Sequence, residues 1–186
     1  MRIIAGRHKG RNIAAPPGQT LRPTASRARE ALFDILTHAR FAGRELVEGA
    51  HVLDAFAGTG ALGLEALSRG ASRASFMERD RDVRKLLAGN VKALGEQAHA
   101  SVLAVDAVHP PRATLPCDLI FMDPPYAEAV AVMALEALGA QGWIADDAIV
   151  ALEVAGKTNF DPPDGFALLD TRRYGKARIV FLRFSL

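Results

Sequence analysis

One stretch decides the fold of this chain: HVLDAFAGTGALGLEALSRG, residues 51–70. An apolar strand over residues 52–56 leads into a glycine-rich loop, and a helix is predicted from Ala61 to Arg69. Three glycines match the G-x-G-x-x-G spacing of nucleotide-binding loops, namely Gly58, Gly60 and Gly63. Since such loops join a strand to a helix, the stretch predicts the first unit of an α/β fold.

The same alternation of strands and helices continues downstream. Further strands are predicted at residues 74–78, 101–105, 119–122 and 148–154, with helices at 81–94 and 128–138. This order predicts a doubly wound, mostly parallel sheet covered on both faces. Residues 166–173 and 177–184 predict an antiparallel hairpin at the sheet edge.

The residues before the first strand predict a different structure. Residues 1–24 form a basic N-terminal arm or hairpin, and a helix follows over residues 25–39, with Thr24 or Ser26 as its cap. The 186 residues, 49% of them hydrophobic, are enough for one well-packed core. We therefore expect a single domain over residues 1–186, with the catalytic core in residues 25–186.

Basic residues are concentrated at the two ends of the chain, although the net charge is only +2. Residues 1–30 hold seven Lys and Arg against one acid, and residues 171–186 hold five with no acid. Arg27 and Arg29 also lie near the start of a predicted helix, where a cation opposes the helix dipole. These placements indicate contact with an anion, and nucleic acid is the candidate.

Other classes are disfavoured by composition. No apolar run reaches the roughly 18 residues of a membrane span, and no apolar segment of a signal peptide follows the basic N-terminus. Cys117 is the only cysteine, and the five histidines show no metal-ligand spacing. We expect a soluble, cytoplasmic protein with no metal.

Asp54 distinguishes between the cofactors that a glycine loop can serve. A dinucleotide site needs bare loop amides at a helix N-terminus for its pyrophosphate, and a carboxylate just before the loop repels that anion. Asp54 suits instead a ligand with a cationic amino-acid part, as in S-adenosylmethionine. A nicotinamide enzyme stays the competing prediction, because Glu78 also stands where a ribose-binding acid belongs.

Three acids, Asp54, Glu78 and Asp106, end three successive predicted strands. The carboxyl edge of an open α/β sheet is where ligands bind, so these side chains are predicted to meet there. Glu78 is placed to accept both ribose hydroxyls, and Asp106 to accept the adenine amine. The predicted cofactor contacts are Asp54, Ala55, Phe56, Gly58, Thr59, Gly60, Glu78, Arg79, Asp106 and Ala107.

The fourth predicted strand ends in a stiff polar turn, Asp123-Pro124-Pro125-Tyr126. The two prolines fix φ and force the chain out of the sheet. The turn therefore presents a carboxylate, free carbonyls and an aromatic ring beside the cofactor. Asp123, Pro124, Pro125 and Tyr126 are the predicted catalytic residues.

The turn, together with the upstream pattern D-x-F-x-G-x-G at residues 54–60, resembles class I methyltransferases that modify exocyclic amines of nucleic-acid bases. Residues 2–6, 21–24 and 56–69 extend the likeness, and the whole chain is similar to the RsmD family. The resemblance is strongest over residues 21–69 and 119–126 and departs around residues 95–100 and 155–165. It implies methylation of a guanine N2 in small-subunit (16S) ribosomal RNA, within assembling or assembled subunits.

The chemistry can also be argued from the residues. A guanine amine is a weak nucleophile, and hydrogen bonds from it to Asp123 and to the Pro124 carbonyl would aim its lone pair at the methyl group. Asp123 can take the released proton, and Tyr126 offers a face for stacking. The basic side chains predicted to contact phosphate are Arg7, Lys9, Arg11, Arg22, Arg27 and Arg29.

Two alternatives stay open from the residues alone. An adenine N6 amine in DNA or RNA fits the same turn, so guanine depends on the resemblance. A non-catalytic RNA-binding module could also keep this fold. With no long exposed apolar stripe in the sequence, a monomer is expected.

Overall fold

Eleven elements build the part of the chain that the computed structural model describes, residues 1–16, 23–38, 41, 45–125, 128–156, 160–175 and 177–185. The helices are α1 Pro23–His38, α2 Ala61–Ser68, α3 Arg81–Leu94 and α4 Glu128–Ala140. The strands are β1 His51–Asp54, β2 Arg73–Met77, β3 Ala100–Leu103, β4 Cys117–Met122, β5 Ile144–Ala155, β6 Phe166–Tyr174 and β7 Ala177–Phe184. In the described ranges no helix is long and apolar enough to cross a membrane.

The seven strands form one sheet in the order β3-β2-β1-β4-β5-β7-β6. Neighbouring strands from β3 to β5 pair in parallel, whereas β7 pairs antiparallel with both β5 and β6. The predicted α/β fold is therefore confirmed, including its C-terminal hairpin. The strand ends of β1 to β5 meet at one edge of the sheet, the carboxyl edge.

The sheet separates two apolar layers. On one face, side chains of β1, β4 and β5 pack with α1, α2, α3 and the N-terminal arm, and Phe33 contacts Phe121 with ring centroids 5.5 Å apart. On the other face, α4 packs through Ala131, Ala134 and Leu135. Burial of both faces explains why β4 is a continuous apolar run rather than an alternating one.

Local signals explain where the helices begin and end. The Asp80 carboxylate accepts hydrogen bonds from the amides of Asp82 and Val83 at the start of α3, and Gly95 ends it with φ 80°. The predicted cap of α1 is wrong, because the helix already begins at Pro23 and includes Thr24 and Ser26. Proline suits a first helical position because its missing N–H has no partner there in any case.

The N-terminal arm folds back on itself and docks on the core. Arg2 and Asn12 form an antiparallel bridge, and Ile3 and Ile13 are buried. The fully buried carboxylate of Glu65, in α2, accepts the amides of Ile4 and Ala5 at 2.8 and 3.0 Å. The basic arm is thus a packed part of the molecule rather than a free tail.

Candidate active site

The glycine loop follows β1 and turns sharply before α2. Gly58 and Gly60 have φ values of 51° and 82°, a region that favours glycine. A Cβ on Gly63 would lie 2.3 Å from Cε1 of Phe76, so this glycine lets α2 approach β2 closely. Gly58 and Gly60 are therefore required by the backbone conformation of the loop, and Gly63 by the packing of α2 against β2.

Two of the acids that were predicted to bind cofactor hold this loop in place. Glu78 Oε2 accepts the amide of Gly58 at 3.0 Å, and Glu78 Oε1 accepts the amide of Asp80 at 2.8 Å. Asp54 Oδ2 accepts the amide of Gly63 at 3.0 Å. Loop amides that a pyrophosphate would need are therefore already bonded to carboxylates, which disfavours a dinucleotide.

Asp54 lies beneath the loop, with 3% of its surface exposed. Burial raises the pKa of Asp54 to about 7, the Gly63 amide opposes this rise, and the nearby charges of Asp123 and Glu78 add to it. A cationic ligand above the loop would relieve the repulsion among these three acids. Asp54 is therefore placed to influence a ligand through its charge and through the loop rather than by direct contact.

A cavity of about 310 Å³ opens at the carboxyl edge, above the ends of β1, β2, β3 and β4. Its size falls within the range of roughly 300–1,000 Å³ that is typical of small-molecule sites. The structure brings eight of the predicted site residues together in its wall: Ala55, Phe56, Glu78, Arg79, Asp106, Ala107, Asp123 and Pro125. The described lining does not include Asp54, Gly58, Thr59, Gly60 or Pro124, which lie beneath or beside it.

Five apolar residues of the wall were not predicted from the sequence. They are Met77, Val105, Val108, Val130 and Met133. Val130 and Met133 belong to α4, where apolar residues indicate core packing, and the 50% exposure of Met133 becomes visible only in the fold. These side chains give the cavity an apolar surface, as is typical of small-molecule sites.

Asp106 and Arg79 close one end of the cavity. Arg79 Nη1 donates to Asp106 Oδ2 at 3.0 Å, and the amide of Val108 donates to Asp106 Oδ1 at 3.2 Å. The Asp106 carboxylate is therefore fixed in orientation before any ligand binds. It stands at the end of the cavity where the adenine amine was predicted.

Asp123 stands at the opposite side of the cavity, one residue beyond β4. Its side chain is accessible, yet the surrounding atoms displace enough water to raise its pKa. Pro124 is partly buried and Pro125 is exposed. Tyr126 lies outside the described residues, so its stacking role stays a prediction.

Three of the arginines predicted to contact phosphate are instead bonded within the protein. Arg29 is 7% exposed, and its Nη2 donates to the Arg2 carbonyl at 2.7 Å, so it cannot reach a phosphate in this conformation. Arg7 Nε and Nη2 each donate to the Glu96 carboxylate at 2.9 Å. Arg11 donates to the carbonyls of Leu94 and Ala93 at the end of α3.

The other predicted phosphate contacts have a mixed outcome. Lys9 and Arg27 are exposed, whereas Arg22 lies outside the described residues. The arm turn, residues 6–11, contacts the C-terminal ends of α2 and α3, since the Arg7 amide donates to the Ser68 carbonyl at 2.8 Å. Because both helices run antiparallel to the preceding strands, this turn lies at the edge opposite Asp123.

A second basic segment lies at the carboxyl edge instead. Since β7 is antiparallel to β5, Ala177 pairs with Ala155, the last residue of β5, and with Tyr174. The end of the β6–β7 hairpin, with the exposed Arg172 and Arg173, therefore lies at the same edge of the sheet as Asp123, with β5 and β7 between β4 and β6. Arg172 Nε also donates to Asp170 Oδ2 at 2.8 Å. The C-terminal charges that the sequence showed only as a cluster are thus placed at the carboxyl edge.

Comparison with known proteins agrees with this geometry. The family model "Conserved hypothetical protein 95" matches residues 1–183. Ribosomal RNA small subunit methyltransferase D of Escherichia coli K12 is 37% identical over 154 residues, covering 82% of this chain and 74% of that protein. The protein of the same name from Haemophilus influenzae is 32% identical over 179 residues, covering 94% and 89%.

A solved structure shows the same fold over the whole chain. The Escherichia coli protein yhhF superposes with a TM-score of 0.84 at 32% identity, covering 100% of this chain and 98% of that one. Fold, site and sequence lead to one conclusion. The chain belongs to the conserved hypothetical protein 95 family, the family of the RsmD-type methyltransferases.

Proposed function

We propose that this protein transfers a methyl group from S-adenosylmethionine to the exocyclic N2 amine of a guanine in small-subunit (16S) ribosomal RNA. The observation that carries the proposal is Asp123, standing in the wall of a cavity beside the glycine loop, in which the amides of Gly58 and Gly63 are already bonded to Glu78 and Asp54. The relatives named ribosomal RNA small subunit methyltransferase D support the RNA substrate. We further propose a cytoplasmic monomer that acts on the assembling or assembled small subunit.

The cofactor is proposed to lie against Glu78 and Asp106, two acids in the wall of the cavity. Each oxygen of Glu78 keeps a lone pair after accepting its backbone amide, so the carboxylate can still accept ribose hydroxyls. Asp106 is proposed to accept the adenine amine, with Val105 and Val108 against the ring. When bound, S-adenosylmethionine supplies a methyl group on a sulfonium, a good leaving group.

The catalytic turn is proposed to hold the guanine amine. Asp123 accepts one N–H and the Pro124 carbonyl accepts the other, which favours a pyramidal nitrogen with its lone pair directed at the methyl group. As the amine takes the methyl group that bound S-adenosylmethionine would supply, Asp123 would accept the amine proton directly or through water. Since its pKa is raised by burial, Asp123 is better suited to accept that proton than an ordinary surface acid.

The nucleoside produced decides the proposal. Small subunits, naked ribosomal RNA and DNA are each incubated with labelled S-adenosylmethionine and then digested to nucleosides. We expect labelled N2-methylguanosine from the ribosomal substrate. Labelled N6-methyladenosine, or its deoxy form, would contradict guanine, and no transfer to any ribosomal substrate would leave a non-catalytic RNA-binding module.

Glu78→Ala is expected to weaken binding of S-adenosylhomocysteine roughly ten- to hundredfold, because hydrogen bonds to a charged group are lost. Isothermal calorimetry measures the affinity, and thermal unfolding checks that the loop still folds. Glu48→Ala, at an exposed position outside the cavity lining, is the control and should bind normally. Unchanged affinity in Glu78→Ala, or tight binding of NADH by the unmodified protein, would refute the assignment of the cavity.

The hairpin end is proposed to contact RNA phosphates. Arg172/Arg173→Ala should weaken RNA binding and lower the slope of log K against log salt by roughly 1 per arginine. Lys9/Arg112→Ala removes two equally exposed charges outside the hairpin and is the matched control. If the control variant lowers the slope as much as the hairpin variant does, the RNA does not bind preferentially at the carboxyl edge.

A further inference from the structure

Two carboxylates stand side by side near the carboxyl ends of β4 and β5. Phe121 pairs with Ala151 and Met122 with Leu152, so the parallel register carried one step further sets Asp123 beside Glu153. Adjacent strands lie about 4.8 Å apart. Phe121 and Ala151 belong to the same apolar layer, so alternation directs Asp123 and Glu153 to one face of the sheet.

These two acids differ from the other acids of the site. Asp54, Glu78 and Asp106 each accept at least one backbone amide. Within the residues that the structure describes, Asp123 and Glu153 accept no hydrogen bond and form no ion pair. Asp123 is exposed and Glu153 is partly buried, so the oxygens of both are open to donors that a ligand brings.

The electrostatics favour a ligand with two neighbouring donors. Burial raises the pKa of Glu153 to about 7, and the adjacent charge of Asp123 contributes to the rise. Burial also raises the pKa of Asp123. A group that donates one N–H to each carboxylate stabilises both charges and offsets their mutual repulsion.

Guanine has this arrangement and adenine does not. On its Watson–Crick edge, guanine carries the N2 amine next to an N1–H, which gives two adjacent donors. Adenine carries its N6 amine next to an N1 that is an acceptor, and the lone pair of that nitrogen would face a carboxylate. A site built to hydrogen-bond a ligand N–H rejects an analogue that lacks it, because the acceptor is then left without a donor in the complex.

We propose that Glu153 selects guanine by accepting its N1–H, while Asp123 and the Pro124 carbonyl hold its N2 amine. This assignment rests on the proposed methylation of guanine N2 and gives that specificity a cause within the chain. The base would lie on the β5 side of Asp123, since the described lining of the cofactor cavity includes Asp123 but not Glu153. Glu153 is thus a specificity residue that takes no proton in the reaction.

A pair of substrates tests the contact directly. Small subunits are reconstituted with RNA that carries either guanine or 2,6-diaminopurine at the methylated position identified by the nucleoside assay. Diaminopurine keeps the N2 amine but has an unprotonated N1. We expect the unmodified protein to prefer guanine by roughly ten- to hundredfold in kcat/KM. In Glu153→Ala this preference should largely disappear, because the guanine rate falls and the diaminopurine rate does not.

Controls separate a lost contact from a lost fold. Binding of S-adenosylhomocysteine should be unchanged in Glu153→Ala, and Glu136→Ala, an exposed glutamate of α4, should keep the full preference. If Glu153→Ala does not fold, Glu153→Gln takes its place, and its uncharged amide should reduce the preference in part. A preference that is the same in the variant and in the unmodified protein would overturn the role of Glu153.

The same experiment distinguishes this inference from the proposed function. If the unmodified protein methylates guanine N2 but its preference does not depend on Glu153, the proposed function stands and the assignment of Glu153 is wrong. If the unmodified protein methylates adenine alone, the proposed function fails and the assignment of Glu153 fails with it.

Discussion

Asp123→Ala is expected to lower the rate of methyl transfer by about 10²–10⁴-fold, the usual contribution of a positioned acid or base. The change removes the acceptor for the amine and for its proton, while Glu78, Asp106 and the apolar wall stay in place. Affinity for S-adenosylhomocysteine should be largely unchanged, because this product has no sulfonium charge for Asp123 to stabilise. Single-turnover kinetics with subunits, together with calorimetry, measure the two quantities separately.

Asp118→Ala is the matched control for this variant. Asp118 is an exposed aspartate of the same strand but near its other end, where its Oδ2 accepts the amide of His51 at 2.9 Å. Its removal should cost some stability and leave methyl transfer intact. A catalytic role for Asp123 would be untenable if both variants retained the normal rate, or if Asp123→Ala lost cofactor binding and activity in parallel.

Glu65→Ala is expected to lower the free energy of unfolding by about 3–5 kcal/mol, the cost of removing one partner from a buried ion pair. Glu65 is fully buried and accepts Arg69 Nε at 2.9 Å in addition to the amides of Ile4 and Ala5. Without it, these buried donors have no acceptor, and the N-terminal arm is expected to detach. Urea unfolding followed by circular dichroism measures the loss.

Glu30→Ala, on the exposed side of α1, is the control for this substitution and should change stability by less than about 0.5 kcal/mol. Glu65→Gln should fall between the two, because its amide oxygen can accept one N–H but carries no charge. Limited proteolysis should cut the arm of Glu65→Ala earlier than that of the unmodified protein. Equal urea midpoints for Glu65→Ala and Glu30→Ala would show that Glu65 does not hold the arm.

Most of the fold could be predicted from local patterns. The helix at residues 81–94 and the strand at residues 177–184 were predicted with the bounds that the structure has. Strand ends were less certain. The fifth strand begins at Ile144 rather than Ala148, because its first residues pair with β4 across a register shift that is not visible in a single strand.

The family resemblance is confirmed by the comparisons, and the cofactor acids can be placed by the rule that parallel strands end at one edge. Other roles could not be assigned in this way. A sequence does not show which group a charged side chain contacts in the fold. Arg29 was therefore predicted to bind phosphate, although the fold buries it against the arm. A role for Glu153 was not predicted for a related reason, because an acid in an apolar strand normally faces water.

The sequence by itself determined the α/β architecture, the glycine loop and the polar turn that follows the fourth strand, because each depends on residues that are close along the chain. Spacing and strand periodicity are sufficient for such features. Only the tertiary structure decided which distant groups meet. Strand order and register place Glu153 beside Asp123 and the basic hairpin at the carboxyl edge. Contacts with the ends of α2 and α3 place the arm turn at the opposite edge. The groups that a charged side chain contacts depend on these long-range pairings. The role of each charged residue therefore depends on them as well.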